Sequence, residues 1–321
     1  MAGRDAIKLK QQSTETGYPY SVLDISDREG IQKWLEPTQA LIHCGGPFRH
    51  TAEIMADICL STKTHYTDIT GEYEVFELLA GKDSQAKQSG ITIMPGTGFD
   101  VVPSDCLALH LKNRLPGATH LQLAFTSTKG GLSRGTKKSM TEGLGYGGLI
   151  RSNGKLTMLP LGEKVMQVNF GPFKVPTMCI PWGDISTAWR STGIPNIEVY
   201  TGVTNSMIRN AKRSRYINWL LRLRPVKKFL LNQIDKKAPG PSEETRNTSR
   251  SYLWGKVTDA KGTTAESRLE TLNGYNLTAI TAVIIAEKIL SGDFKMGYQT
   301  PAMAYGENLI LEVPETRRTD L

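Results

Sequence analysis

The sequence predicts an α/β protein built on an incomplete, doubly wound parallel sheet, followed by a second α+β region on a mixed or antiparallel sheet. In the first third of the chain, short apolar segments alternate with helix-like stretches of about 10–15 residues, the pattern of parallel strands and crossover helices. Glycine-rich turns follow two of these strands. Beyond residue 118, apolar and polar residues alternate, which is typical of antiparallel strands with one buried face.

The first region consists of strand–helix units. Asp27 is placed to cap one helix, and either Ser104 or Asp105 to cap another. The predicted elements are strands at 21–24, 40–44, 65–69 and 91–94, and helices at 27–34, 51–60, 75–89 and 104–113.

The second region begins at a predicted strand over 120–127, where Leu121, Leu123 and Phe125 share one face. Apolar residues at helical spacing predict a late helix over 274–290. Further strands are predicted at 165–170, 177–181, 197–204 and 251–257. These patterns divide the chain into a first region at 1–118, a second at 119–270, and a C-terminal segment at 271–321 that returns to the first.

Composition places few limits on function. The 321 residues include 39% hydrophobic and 22% charged residues, and the formal net charge is +8. The four cysteines lack zinc-site spacing, so no metal site and no disulfide is expected. A polar, charged start predicts no signal peptide, and the lack of a long apolar run predicts no membrane span. We therefore expect a cytoplasmic protein, and attachment to a membrane surface stays open.

The two glycine-rich turns are the best-placed ligand sites. Gly45, Gly46, Pro47 and Phe48 follow a buried strand and precede a helix, whose free N–H groups suit a phosphate or an amide. Gly98 lies in the second such turn. An ordinary strand–helix turn is the alternative interpretation. A literal G-x-G-x-x-G match over 143–148 has no preceding strand, so tight helix packing or a mobile loop explains it better.

Titratable residues follow the same strand ends. Tyr66, Asp68 and Asp100 could exchange a proton with a substrate during hydride transfer. Structural roles are the alternative for each, as a buried partner or a helix cap, and Glu72 could cap the helix that begins near residue 75. His43 lies within an apolar strand, which indicates a hydrogen-bonded core histidine.

Six segments together carry a resemblance to a known family. They are His43–Phe48, Thr64–Glu72, Pro95–Asp105, Ser133–Thr136, Pro181–Asp184 and Thr300–Ala302. On these segments the chain resembles the saccharopine dehydrogenase-like oxidoreductases, which include trans-acting enoyl reductases. The resemblance implies a Rossmann-like domain that binds NADP or NAD, a second α/β domain, and a small-molecule substrate.

The same resemblance suggests where a cofactor would lie. In that family an Ala-Gly-Arg sequence ends the second Rossmann strand, and its arginine meets an adenosine 2′-phosphate; Ala2, Gly3 and Arg4 resemble it. The chain would then lack the first strand, its glycine-rich turn and the first helix, so we expect a truncated family member that binds the cofactor weakly. The expected cofactor-binding residues are Gly3, Arg4, Asp24, Gly45, Gly46, Pro47, Phe48 and Gly98, and the expected catalytic residues are Tyr66, Asp68 and Asp100.

Three functions remain open. The first is an NAD(P)-dependent oxidoreductase acting on a C=O, C=N or activated C=C bond. The second is a non-catalytic family member that keeps the fold and a binding surface. The third is a protein that binds anionic membranes through 209–234, where arginines and lysines are interleaved with aromatic and aliphatic residues; a core-covering helix pair is the competing explanation. A homodimer is compatible with all three, and no nucleic-acid-binding module is visible.

Overall fold

The computed structural model describes residues 1–128, 133–236 and 240–321, and it confirms an α/β protein, with a four-stranded parallel sheet, a separate parallel pair of short strands and a mixed sheet of nine strands. The strands are β1 (Ala2–Gly3), β2 (Ser21–Val22), β3 (Ala40–His43), β4 (His65–Asp68), β5 (Thr92–Met94), β6 (Ala118–Ser127), β7 (Gly148–Ser152), β8 (Lys155–Leu159), β9 (Val165–Asn169), β10 (Lys174–Cys179), β11 (Asn196–Gly202), β12 (Arg250–Asp259), β13 (Thr264–Leu272), β14 (Gly297–Tyr298) and β15 (Arg317–Asp320).

The helices lie between these strands. They are α1 (Ala6–Thr16), α2 (Arg28–Leu35), α3 (Phe48–Thr62), α4 (Tyr73–Ala80), α5 (Asp83–Ser89), α6 (Val102–Arg114), α7 (Arg134–Glu142), α8 (Asp184–Thr192), α9 (Asn205–Ser214), α10 (Asn218–Leu221), α11 (Arg224–Asp235), α12 (Glu243–Thr248), α13 (Gly274–Leu290) and α14 (Pro301–Tyr305), and a 3₁₀ turn covers Leu309–Glu312. In the described ranges, no helix combines the length and apolar character needed to cross a bilayer.

The parallel sheet has the order β14-β5-β4-β3, and all its pairs run parallel. Its central strands are buried on both faces, with Tyr66, Ile93 and Met94 completely inaccessible, as parallel sheets covered by helices require. Because all strands point the same way, the turns that follow β3, β4 and β5 lie together at the carboxyl end of the sheet. Most of the residues predicted to be functional lie at this end.

The strand predicted over 40–44 forms β3, which lies at one side of the parallel sheet. β3 ends the order of the parallel sheet, while β1 and β2 form a separate parallel pair. Among the described residues, no strand joins the two by hydrogen bonds. Leu23 and Ile25, which follow β2, pack against the core beneath β3.

The mixed sheet forms the second layer, in the order β15-β13-β12-β6-β11-β10-β9, with β7 and β8 attached to β11. β6 pairs antiparallel with β12 and parallel with β11. α6 packs against this sheet and connects the two layers through Leu107 and Leu111, both fully buried. The strands β7, β8 and β13 were absent from the sequence prediction.

Two predicted helices needed correction. The helix over 75–89 is two helices, because the chain breaks between α4 and α5 at Gly81 and Lys82. α6 begins at Val102, before the predicted start, and neither Ser104 nor Asp105 caps it. Asp105 lies inside the helix, where its carboxylate accepts hydrogen bonds from the Ser191 hydroxyl at 2.6 Å and from the Ala302 amide at 3.0 Å.

The C-terminal segment contributes to both sheets. α13 lies against β3 and β4, as expected, and β14 extends the parallel sheet beside β5. β15, however, pairs with β13 in the mixed sheet, so the segment returns to the first region only in part. The boundaries at 118 and 270 stay a prediction.

Candidate active site

The turn after β4 is held by a network around the Asp68 carboxylate. The Tyr66 hydroxyl donates to Asp68 Oδ2 at 2.7 Å, and the amides of Thr70 and Gly96 donate to Oδ1 at 2.9 Å each. Thr97 completes the junction, since its amide donates to the Asp68 carbonyl oxygen at 2.7 Å. Asp68 therefore ties the end of β4 to the end of β5.

Burial shifts the pKa values of this pair. Desolvation raises the pKa of Asp68 to about 6, although the hydrogen bonds from Thr70, Tyr66 and Gly96 oppose the shift. Burial, with the nearby Asp68 charge, holds the pKa of Tyr66 well above its usual range. Tyr66 is fully inaccessible and its proton is directed at Asp68. Their contacts favour a structural role, and catalytic roles for these two residues stay a prediction.

Glu72 corrects one expectation about the helix start at 45–48. Its carboxylate accepts hydrogen bonds from the amides of Phe48 at 3.1 Å and Arg49 at 3.0 Å. It thus caps α3, and not the helix that follows it in sequence, for which no side-chain cap forms. The first amides of α3 were expected to receive a phosphate, but a carboxylate of the same chain already satisfies them.

Glycine is explained differently in the turn at 45–48 and in the turn that contains Gly98. Gly45 and Gly46 are exposed, and an added Cβ would lie 3.1 Å from the His43 ring or 3.3 Å from the Phe48 ring. A bare backbone is therefore open to a ligand there. Gly98 was expected to serve a cofactor, but its Cβ would lie 2.8 Å from Thr278 of α13, so helix packing accounts for this glycine.

Asp100 differs from Asp68 although both follow strands at the same edge. It is half-buried, and its carboxylate lies against the β4 turn, where a Cβ on Gly71 would be 2.5 Å from Oδ2. Desolvation and then repulsion from Glu72 raise the pKa of Asp100 to about 7, and no hydrogen bond from the described residues offsets this. A carboxyl group that titrates near neutrality can both deliver and accept a proton.

Aromatic rings lie beside the backbone of Asp100. The Trp182 indole donates to the Asp100 carbonyl oxygen at 2.8 Å, and its ring lies 4.7 Å from that of Phe125. Phe125 in turn contacts Phe99 edge-on at 6.1 Å. Asp100 therefore lies where the two sheets meet, with its neighbouring backbone tied to an aromatic wall.

A second carboxyl group near Asp100 escaped the sequence analysis as a titratable residue. Asp184, at the start of α8, is fully buried, and neither of its oxygens has a partner among the described residues. Burial, with repulsion from Asp105 and Asp100 among the further causes, holds its pKa well above the usual range. In the sequence Asp184 looks like an ordinary residue at the start of a helix, so no local pattern predicts that its carboxyl group is buried.

The residues expected near the adenosine end of a cofactor lie apart from Asp100, on the β1–β2 pair. Gly3 accepts a hydrogen bond from the Leu23 amide at 2.9 Å. Asp24 accepts from the amide and hydroxyl of Ser26, which together with the Arg4 charge lower its pKa. Arg4 and Asp24 are both exposed.

Other candidate features have structural explanations. His43 bonds to the Thr51 hydroxyl at 2.9 Å, and burial lowers its pKa to about 4, so the expected core role is confirmed. In the literal G-x-G-x-x-G segment, Gly145 packs against α10, with a Cβ position 2.7 Å from the Asn218 carbonyl oxygen. Cys44 is an exposed free thiol, and the other three cysteines are buried. In the described residues, no cluster of His, Cys, Asp or Glu suits a metal ion.

Comparisons with known proteins agree with the resemblance. A saccharopine dehydrogenase-like oxidoreductase of Mus musculus is 28% identical over 152 residues, covering 46% of this chain and 35% of its own. A Mycobacterium tuberculosis protein named as a trans-acting enoyl reductase is 32% identical over 148 residues, covering 44% and 34%. The mouse relative thus carries the name of the family that the sequence segments resemble. The chain spans about a third of the length of these two relatives.

A third relative and a solved structure extend the similarity over more of the chain. A lipid droplet localized protein of Caenorhabditis elegans is 24% identical over 242 residues, which cover 70% of this chain and 54% of that protein. A saccharopine dehydrogenase (L-Glu forming) of Saccharomyces cerevisiae matches with a TM-score of 0.68 at 13% identity, over 100% of this chain and 93% of the other. This match shows a shared fold. No family model matches the chain.

Proposed function

We propose that this protein is an NAD(P)-dependent oxidoreductase of the saccharopine dehydrogenase-like type, acting on a C=O, C=N or activated C=C bond of a small molecule. The observation that carries the proposal is Asp100, a carboxyl group with a pKa of about 7 at the junction of the two sheets. Reduction of such a bond requires a proton donor beside the hydride source.

The exposed backbone at the end of β3 fits a dinucleotide. Gly45 and Gly46 leave space that a Cβ would narrow, and the Arg4 and Asp24 side chains are available at the adenosine end. When bound, the nicotinamide supplies or accepts the hydride. The amides of Phe48 and Arg49 already donate hydrogen bonds to the Glu72 carboxylate, so they are not available to bind the cofactor's phosphates. Weak binding, with NADP preferred through Arg4, follows from this arrangement.

The protein's own chemistry centres on Asp100. Below about pH 7 its carboxyl group holds the proton that a reduced substrate needs, and in the reverse direction its carboxylate accepts one. The Trp182 indole holds the backbone of Asp100 through its carbonyl oxygen, and Phe125 packs against the Trp182 ring. Tyr66 and Asp68 fix the β4 turn against which Asp100 rests.

Fluorescence titration with NADPH and NADH tests the proposal. We expect weak saturable binding of NADPH, and Arg4→Ala weakens it on the order of 10- to 100-fold, because a charge-assisted contact to phosphate is lost. NADH binding should change little in this variant. Lys33→Ala, an exposed cation on α2, is the matched control. Failure of both nucleotides to bind contradicts the proposal and favours a non-catalytic family member.

For its place in the cell, we propose the cytoplasm, with attachment to a membrane surface. A homodimer stays an untested prediction.

A further inference from the structure

Three consecutive helices leave their apolar residues outside the core. α9, α10 and α11, together called the basic segment (205–234), contain no buried residue after Ala211. A helix pair that covers the core was the competing explanation, and the structure supports it only in part: Ile208 and Ala211 of α9 pack against a small buried cluster that contains Met178 and Val203. Large apolar side chains of the basic segment are exposed instead, with Trp219 at 68% and Phe229 at 62%. The others are Met207, Tyr216, Ile217, Leu220 and Leu223.

The basic segment carries charge of one sign. Between 205 and 234 there are eight arginines and lysines and no aspartate or glutamate, and the one acid of the three helices is Asp235, the last residue of α11. Two of these cations fasten the segment to the rest of the protein: Arg222 Nε donates to the Gly145 carbonyl oxygen at 2.8 Å, and Lys227 donates to the Glu142 carbonyl oxygen. Both lie over the Tyr146 ring.

The remaining cations are exposed, and of these Arg215 also lies over the Tyr216 ring. They are Arg209, Lys212, Arg213, Arg215, Arg224 and Lys228, all exposed, and none forms an ion pair with a described carboxylate. A surface of this kind combines unpaired positive charge with exposed indole and phenyl rings. Apolar patches of this size on a protein surface generally mark an interaction site.

We propose that the basic segment docks on an anionic lipid membrane, with Trp219 and Phe229 entering the headgroup layer and the free cations facing lipid phosphates. Aromatic and aliphatic side chains favour the interface between headgroups and acyl chains, and each nearby cation adds attraction to an anionic leaflet. Fastening of the segment through Arg222 and Lys227 keeps the helices preformed, which lowers the ordering cost of binding.

Charge argues against a second copy of this chain on the same surface. A symmetric dimer through the basic segment would place its eight cations against eight identical ones, with no carboxylate between 205 and 234 to pair with them. Repulsion of this kind opposes association. An anionic bilayer has no such conflict, and the boundary between its headgroups and acyl chains accepts the exposed rings.

Vesicle sedimentation tests the proposal with the full chain. We expect binding to phosphatidylcholine vesicles that contain phosphatidylserine, little binding to phosphatidylcholine alone, and loss of binding at high salt. The variant Arg213→Gln, Arg215→Gln, Lys228→Gln should bind about fivefold more weakly per cation, hence on the order of 100-fold in total. The control variant Lys33→Gln, Lys155→Gln, Lys261→Gln also removes three exposed cations from the formal +8 but should bind as the wild type does.

The fluorescence emission of Trp219 tests whether this residue itself enters the lipid. Trp219 is the most exposed tryptophan, so its emission should shift to shorter wavelength when phosphatidylserine vesicles are added, and the shift should vanish in Trp219→Phe. Equal binding of the two triple variants, or equal binding to both vesicle types, overturns the proposal. So does a wild type that sediments with neither, or a self-association that Trp219→Phe abolishes. Circular dichroism confirms that each variant is folded.

Discussion

Asp68 ends β4 and Asp100 lies in the turn after β5, at the same end of the parallel sheet, yet the two carboxyl groups have different surroundings. Asp68 is inaccessible and receives hydrogen bonds from one hydroxyl and two amides. Asp100 is half-buried, rests against Gly71 and has no comparable donors. The comparison shows that position at a strand end does not define a reactive group. What matters is whether the protein has already used the carboxylate's hydrogen-bonding capacity.

The largest expected effect is on catalysis. Asp100→Asn keeps the size of the side chain but removes the proton, so kcat/KM for a substrate that the wild type reduces should fall about 10²- to 10⁴-fold. Dinucleotide affinity should stay within about twofold, because Asp100 is not assigned to the cofactor. Steady-state kinetics measure both quantities. Asp293→Asn, at an exposed loop position, is the control; a loss of activity below tenfold in Asp100→Asn would remove Asp100 from the mechanism.

For stability, we expect the larger loss at Asp68 and the smaller one at Asp100. Asp68→Ala leaves the Tyr66 hydroxyl and the amides of Thr70 and Gly96 without their acceptor, so the free energy of unfolding should fall by about 3 kcal/mol or more. Asp100→Ala removes no comparable acceptor and should cost under about 1 kcal/mol. Urea denaturation at pH 7 compares the two variants. Equal losses would mean that both carboxylates are structural.

The pH dependence of stability separates the two groups further. For both, the folded pKa lies above the ordinary value of 3.8, so the folded state binds the proton more tightly and stability falls as pH rises from about 4. Asp68 contributes up to about pH 6 and Asp100 up to about pH 7. The difference in unfolding free energy between wild type and Asp100→Asn should therefore keep changing between pH 6 and 7. A flat difference over that interval would show that Asp100 is already ionised.

The smallest effect is expected at Glu72. Glu72→Gln retains an acceptor for Phe48 and Arg49 but loses the charge at the start of α3, which should cost about 1 kcal/mol of stability. Its removal also relieves repulsion on Asp100, so the pKa of Asp100 should fall by less than about one unit. Denaturation and a carboxyl titration measure the two effects. An unchanged pKa of Asp100 in Glu72→Gln would show that the charge of Glu72 does not act on Asp100.

The sequence predicted the parallel sheet well because its strands are short, apolar and bounded by glycine, and α13 matched its predicted helical spacing. The hydrogen-bonding and packing partners of side chains were harder to predict from the sequence. Glu72 reaches across to α3, 24 residues earlier in the chain at Phe48, which no local capping pattern indicates. Gly98 was assigned to a ligand because glycine in a turn permits close approach, but the approaching group is Thr278, 180 positions later.

The basic segment shows the same limit on sequence reasoning. Its interleaved cations and aromatic residues were recognisable, but the pattern fits a covered helix as well as an exposed one. Which of these holds depends on whether the remaining chain supplies an apolar surface for Trp219 and Phe229, and the structure provides none.

Carboxyl NMR of aspartate-labelled protein tests the central difference most directly. Resonances are assigned by their loss in Asp68→Asn and Asp100→Asn, and their shifts are followed with pH. We expect the Asp100 resonance to titrate near pH 7 and that of Asp68 to titrate lower, near pH 6. Titration of Asp100 close to its ordinary value of 3.8 would contradict its assignment as the proton donor.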